Sequence, residues 1–116
     1  MTTTYKVVIQ LSSNDILVQK ATISKLNNIL NAFPFIDIEL VMNGADIELI
    51  LQDAPLTNTL EQLHGKGIHF LVCKNSLNQK NLSTTSILSF CKVVHSSLAH
   101  LIVRQYEGWA YIKAGF

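Results

Sequence analysis

The chain has 116 residues, enough for one domain with its own core and too few for two. Its net charge is +1, which gives no electrostatic case for a nucleic-acid or anionic-membrane partner. Hydrophobic residues reach 48% while charged ones stop at 15%, against a usual charged share of about 25%. A domain this small cannot hide that surplus in a single core, and self-association is the expectation.

Met1-Thr-Thr-Thr leads straight into a strand pattern, without the basic and apolar regions of a signal peptide. No apolar stretch approaches the ~20 residues needed to span a bilayer. The two cysteines, Cys73 and Cys91, lie on separate elements with no secretory signal, so reduced thiols in a cytoplasmic protein are expected.

Tyr5–Leu11 is rich in β-branched residues and predicts a first strand. Ser12-Ser13-Asn14-Asp15 then supplies turn and N-cap chemistry. Ile16, Ile23, Leu26, Leu30 and Phe33 form one stripe of an amphipathic helix, which Pro34 ends. The second strand, Ile36–Met42, alternates in its first half and turns uniformly apolar at Leu40-Val41-Met42. Asn43-Gly44 breaks it, and Ala45–Leu51 predicts a short helix through Ile47, Ile50 and Leu51. Asp53-Ala54-Pro55 reads as a turn, with Pro55 placed to open a helix carrying Leu56, Leu60 and Leu63. Gly65-Lys66-Gly67 stops that helix with a glycine C-cap.

Ile68–Val72 is a short apolar run, as a buried central strand reads, and it ends on Cys73. A short helix to about Lys80 follows. Asn81–Ser89 is polar, with a helical turn predicted around Ile87-Leu88. Cys91–Val94 predicts a fourth strand, and His95-Ser96-Ser97 a helix start. In that helix Leu98, Leu101, Ile102 and Gln105 share one face, widened by Ala99, Val103 and Tyr106, until Gly108. Trp109–Lys113 predicts the last strand. Strands alternating with helices imply a single α/β domain over residues 1–116, with a mainly parallel sheet between helix layers.

In a parallel sheet the carboxyl ends would collect Ser12, Ser13 and Asn14, then Asn43 and Gly44, then Cys73 and Asn75, then His95 and Ser96. Ligands of open parallel sheets usually bind at that edge. Cys73 stands where a strand hands over to a helix, whose amides and dipole favour a thiolate, and Lys74 adds positive charge beside it. Cys73 has two readings, a reactive thiol and a small buried hydrophobe. His95 likewise reads as a local cap or surface residue, or as a partner of Cys73. Cys91 opens its strand at the opposite edge and reads as structural.

His64, His69 and His100 fall on a helix end, a strand start and a helix. Without His-x-x-x-His or Cys-x-x-Cys spacing, no metal site is expected. Asp53, Glu48 and Glu61 read as solvated charge, and Trp109 and Tyr111 as core or subunit-interface aromatics. Glycine-rich phosphate loops are absent, so dinucleotide and P-loop chemistry have no support.

The opening Tyr-Lys-Val-Val-Ile-Gln strand, Asn43-Gly44, Lys66-Gly67-Ile68 through Cys73-Lys-Asn-Ser-Leu77, and the terminal Glu107-Gly108-Trp-Ala-Tyr-Ile-Lys113 together resemble the DsrE/DsrF-like family. The likeness runs from Tyr5 to Lys113 and fits the stand-alone, single-domain branch best. It implies a three-layer α/β/α fold around a parallel sheet of about five strands, assembled as a trimer or hexamer. In the sulfur-relay members a cysteine just after the third strand carries sulfur as a persulfide and passes it to a partner protein. Cys73 stands at that position.

The leading functional expectation is therefore a carrier or transferase holding sulfane sulfur on Cys73, with no metal or organic cofactor. Asn14, Asn43, Gly44, Lys74, Asn75 and His95 are its candidate pocket neighbours, and a sulfur-donor or acceptor protein is its partner. The alternative is a non-catalytic oligomeric module binding a small ligand or protein tail, with Cys73 merely packed. A third option, a redox sensor, needs a resolving thiol, for which Cys91 at the opposite edge looks badly placed within one chain.

Overall fold

Residues 3–52 and 54–115 are described in a computed structural model, apart from the side chains of Ala45 and Asp46. The turn expected at Asp53 thus falls partly outside them, as does the start of the N-terminal segment. Five runs of alternating or uniformly apolar residues form strands β1 (Tyr5–Leu11), β2 (Ile36–Met42), β3 (Ile68–Cys73), β4 (Lys92–Val94) and β5 (Ala110–Ala114). They make one sheet of order β4-β3-β2-β1-β5, parallel at every pairing. The helices are α1 (Ile16–Ala32), α2 (Thr57–Gly65), α3 (Lys74–Gln79) and α4 (Ser97–Tyr106).

Strand order dictates the layers. From β1 to β4 each crossover steps in one direction, and right-handed connections keep the intervening helices on one face. The last crossover runs back across the sheet from β4 to β5, so α4 covers the opposite face. Val7, Ile9, Leu11, Ile38, Leu40, Met42, Ile68, Phe70 and Val72 meet Leu26, Leu60, Leu63 and Leu77 in the main core. The second core is small: Val8, Val41 and Leu71 against Leu101 of α4, with Val94 and Trp109 at its margin. The chain is a three-layer α/β/α domain.

Local chemistry explains the boundaries. Asp15 caps α1 by accepting from the Leu17 amide at 2.8 Å, as the Ser-Ser-Asn-Asp run predicts. Phe33, ahead of Pro34, is extended and ends the helix. Gly67 enters β3 with φ +103°, where a side chain would strain the backbone.

Three expectations need correction. The short helix after β2 is a 3-10 segment, Gly44–Ile50, in which the i,i+3 pair Ile47 and Ile50 points into the core. The helical turn expected at Ile87-Leu88 lies earlier, at Thr84–Ser86, while Ile87 makes an antiparallel bridge to Leu51. The face of α4 turned to the sheet is not Leu98, Ile102 and Gln105. Ser97 and Leu101 are its buried residues, whereas Leu98 and Ile102 are 63% and 67% exposed. The apolar positions run around most of this helix, so periodicity alone could not say which side the sheet takes.

Candidate functional site

Cys73 closes β3 and shares the face of Leu71, because strand side chains alternate. That is the α4 side. The parallel pairing sets Cys73 against Val94, three residues ahead of Ser97, and so brings the start of α4 beside the sulfur. Ser96 caps α4 by accepting from the Ala99 amide at 3.3 Å. The Ser97 amide, one of those left without a helical partner, donates to Cys73 Sγ at 3.4 Å. On the other side Cys73 is the N-cap residue of α3, which places Ser76 in the first turn above it. Ser76 and Ser97 are both buried.

The thiol is 5% exposed and is bordered by polar donors. Burial, the largest single influence, pushes its pKa up. The Ser97 and Ser76 amides, followed by the two hydroxyls, favour the thiolate and together outweigh burial, holding the group at about 7 instead of 9.0. Burial and these two serines are the main influences on the thiol, and none of them is a charged side chain. Cys91 is the contrast: half-buried and without such donors, it is pushed up to about 12 by burial.

Of the predicted pocket residues, Asn43 and Gly44 are connected to the thiol, each through a serine. Asn43 Nδ2 donates to Ser97 Oγ at 3.1 Å, and the Gly44 amide donates to Ser76 Oγ at 3.0 Å. Ser12, at the end of β1, donates to Asn43 Oδ1. Lys74, Asn75 and His95 are exposed, and none of their side chains hydrogen-bonds to Cys73 among the described residues. Asn14 belongs to a different hollow of about 170 Å³, lined also by Ile16, Gln19, Glu48 and Leu56.

Ser76 and Ser97 were not among the sequence-predicted neighbours. Ser76 had a signal, since Cys73 followed three residues later by serine matches an N-cap and its N3 position. Ser97 had none in its local sequence, because only the crossover of α4 brings it to β3.

A second polar cluster sits farther down the same sheet face. Glu39 of β2, in the alternating half of its strand, is 7% exposed. Arg104 of α4 grips it with Nε to Oε1 at 2.9 Å and Nη2 to Oε2 at 2.8 Å, while His100 Nε2 lies 2.7 Å from Oε1. The Arg104 guanidinium stacks 4.5 Å over Trp109. Burial pushes the Glu39 carboxyl up, but the bonds from Arg104 and His100 hold it below its usual value of 4.5. The arrangement pins α4 to the sheet.

A parallel three-layer domain with an ionisable thiol at the carboxyl end of its third strand is the class of protein these features define. A DsrE/DsrF-like family profile matches residues 6–114, and the chain belongs to that family. Among solved structures it is similar to the protein MTH1491 of Methanobacterium thermoautotrophicum, a protein of unknown function, at 28% identity and a TM-score of 0.92. That alignment covers 94% of this chain and 98% of the other. It also shares its fold with BT1422 of Bacteroides thetaiotaomicron, at 15% identity and TM-score 0.77, covering 93% of both chains. The YchN protein of E. coli shares it too, at 11% identity and TM-score 0.79, covering 96% and 99%. No curated protein sequence matches the chain. No helix among the described residues is long and apolar enough to cross a membrane.

Proposed function

We propose that the chain carries sulfane sulfur as a persulfide on Cys73. The observation behind this reading is the sulfur's setting: the Ser97 amide donates to Cys73 Sγ at 3.4 Å, and the polar groups of Ser97 and Ser76 draw the thiol down to about 7. The Cys73 thiolate attacks the outer sulfur of a persulfide donor. A new S–S bond forms, the donor's S–S bond breaks, and the donor leaves as a thiolate with the electron pair. An acceptor thiolate then takes the outer sulfur by the same displacement and restores the Cys73 thiolate. Neither step calls for an outside oxidant or reductant, a metal or an organic cofactor.

Treating the purified protein with polysulfide and reading its intact mass tests this. Cys73 should gain one or more sulfur atoms, and Cys73→Ser should abolish the gain while Cys91→Ser preserves it. Equal loading of both cysteines would refute the proposal.

The low exposure of Cys73 favours a second reading, a binding module in which the thiol is packed. Under it, Cys73→Ser would leave binding and assembly intact, and the thiol would alkylate no faster than a free cysteine.

The apolar outer side of α4 supports homo-oligomerisation under either reading, and the family resemblance implies that the assembly is a trimer or hexamer. Leu98, Ile102 and Tyr106, the last 94% exposed, project together from the one helix that covers this face. Ile102→Glu should reduce the mass measured by light scattering to that of a monomer.

A further inference from the structure

Helix α4 is tied to the sheet at two points, one on β2 and one just past its end. Glu39, Val41 and Asn43 share one face, because side chains alternate along a strand and Asn43 is still extended at φ −147° and ψ 158°. The helix answers with a stripe in matching order: Ser97, then His100 and Leu101, then Arg104, neighbours at spacings of three and four. Asn43 Nδ2 donates to Ser97 Oγ at 3.1 Å, and Leu101 packs in one cluster with Val41. Glu39 receives Arg104 Nε and Nη2 at 2.9 and 2.8 Å, with His100 Nε2 at 2.7 Å. The lengths agree as well. Ser97 to Arg104 spans ~10.5 Å of helix and Glu39 to Asn43 ~13 Å of strand, a difference the long arginine side chain bridges.

The apolar seat alone is too small to fix the helix. One leucine against Val8, Val41 and Leu71 resists lifting but not sliding or tilting, whereas directional bonds at both ends resist all three. The consequence falls on the thiol, because the Ser97 amide at the start of α4 donates to Cys73 Sγ at 3.4 Å. A slide of the helix by one residue's rise, about 1.5 Å, is enough to part them.

We infer that Glu39 is a positioning residue for Cys73: gripping Arg104 and His100 while Asn43 holds the other end, it sets the height of α4 so that the Ser97 amide reaches the sulfur. The proposal deepens the persulfide reading and rests on it only for the use made of the thiolate. Glu39 is paired with His69, four residues before Cys73 and so ~13 Å down the strand, beyond the Debye length of about 8 Å at physiological salt. It acts through the helix, not through its charge.

The test is the pH profile of Cys73 alkylation by iodoacetamide, read by intact mass in a Cys91→Ser background. Glu39→Gln keeps the size but sets an NH2 group among donors that need an acceptor. The midpoint should rise by about 0.7 pH unit, lowering the thiolate fraction at neutral pH about threefold. The sign is diagnostic. Removing a negative charge, or admitting water to the sulfur, would each favour the thiolate and move the midpoint down. Arg104→Lys keeps the charge but loses the fork, and should move the midpoint the same way by less. Leu63→Ala weakens the main core on the opposite face and should leave the midpoint in place.

Ser97→Pro removes the amide itself at the first helical position, where proline is tolerated, and should also raise the midpoint. In that background Glu39→Gln should move it clearly less than it does alone. An unmoved or lowered midpoint in Glu39→Gln, an equal shift with and without the Ser97 amide, or an equal shift in Leu63→Ala overturns the proposal. Circular dichroism confirms folding, and if Glu39→Gln does not fold, Arg104→Lys decides alone: an unmoved midpoint overturns the proposal. Sulfur loading is not the readout. Failure to load with a responsive profile would sink the carrier reading only, and normal loading with an unmoved profile would sink this one only.

Discussion

Arg104→Met removes the guanidinium from Glu39 while keeping an unbranched stem against Trp109. Wild-type Arg104 supplies two charge-assisted hydrogen bonds to a carboxylate that is almost wholly out of water. Stripping one partner from a buried pair costs about 3–5 kcal/mol. Here His100 remains 2.7 Å from Oε1 and the arginine is partly exposed, so the loss should be smaller, about 2–3 kcal/mol at neutral pH. For a domain of this size that is a fall in Tm of about 10 °C.

The effect has a defined pH dependence. Burial raises the Glu39 pKa, but the bonds from Arg104 and His100 outweigh it and leave the folded value depressed. The stability this group contributes is then complete above its ordinary 4.5 and is lost as pH falls through the folded value. Thermal melts of both proteins from neutral pH down into acid should show a wide gap at neutrality that narrows as pH falls below 4.5. A gap of under about 2 °C at neutral pH, or one of constant width down to acid, would refute the reasoning.

Further outcomes follow from the same geometry. Cys91 should resist alkylation in the native protein at mildly alkaline pH, because burial holds it at about 12, and peptide mapping after a timed pulse reads this directly. Ser96→Ala removes the cap of α4 and should cost about 1 kcal/mol by urea denaturation. Because Ser97 follows it in the helix, that variant should also slow Cys73 alkylation, whereas Asp15→Ala, which uncaps α1 elsewhere, should cost similar stability and leave the alkylation rate unchanged.

The sheet was largely legible in the chain itself. Tyr5–Leu11, Ile36–Met42 and Ile68–Cys73 are apolar enough to be read as buried strands, and Asp15, Phe33-Pro34 and Gly67 punctuate them with unambiguous turn chemistry. Cys73 at a strand end was legible for the same reason.

What escaped the reading depends on contacts distant in sequence. Glu39 lies in the alternating half of β2 and looks solvated until α4 lays Arg104, 65 residues later, over it. The sheet-facing side of α4 was misjudged because leucine, isoleucine and valine occur all around the helix, so hydrophobicity does not select Ser97 and Leu101. Asn43 was a candidate neighbour of the thiol, but its route through Ser97 depends on the β4-to-β5 crossover. Lys74, expected to add positive charge, and His95, expected as a hydrogen-bonding partner, are both exposed, and neither side chain hydrogen-bonds to Cys73 among the described residues.

The rate of sulfur loading onto Cys73 as a function of pH addresses the central claim most directly. With polysulfide in excess and Cys91 replaced by serine, the rate should be half-maximal near pH 7 and level off above it, following the thiolate. A rate that keeps climbing through pH 9.0, as an ordinary thiol's would, or a mass gain that survives Cys73→Ser, would contradict the account.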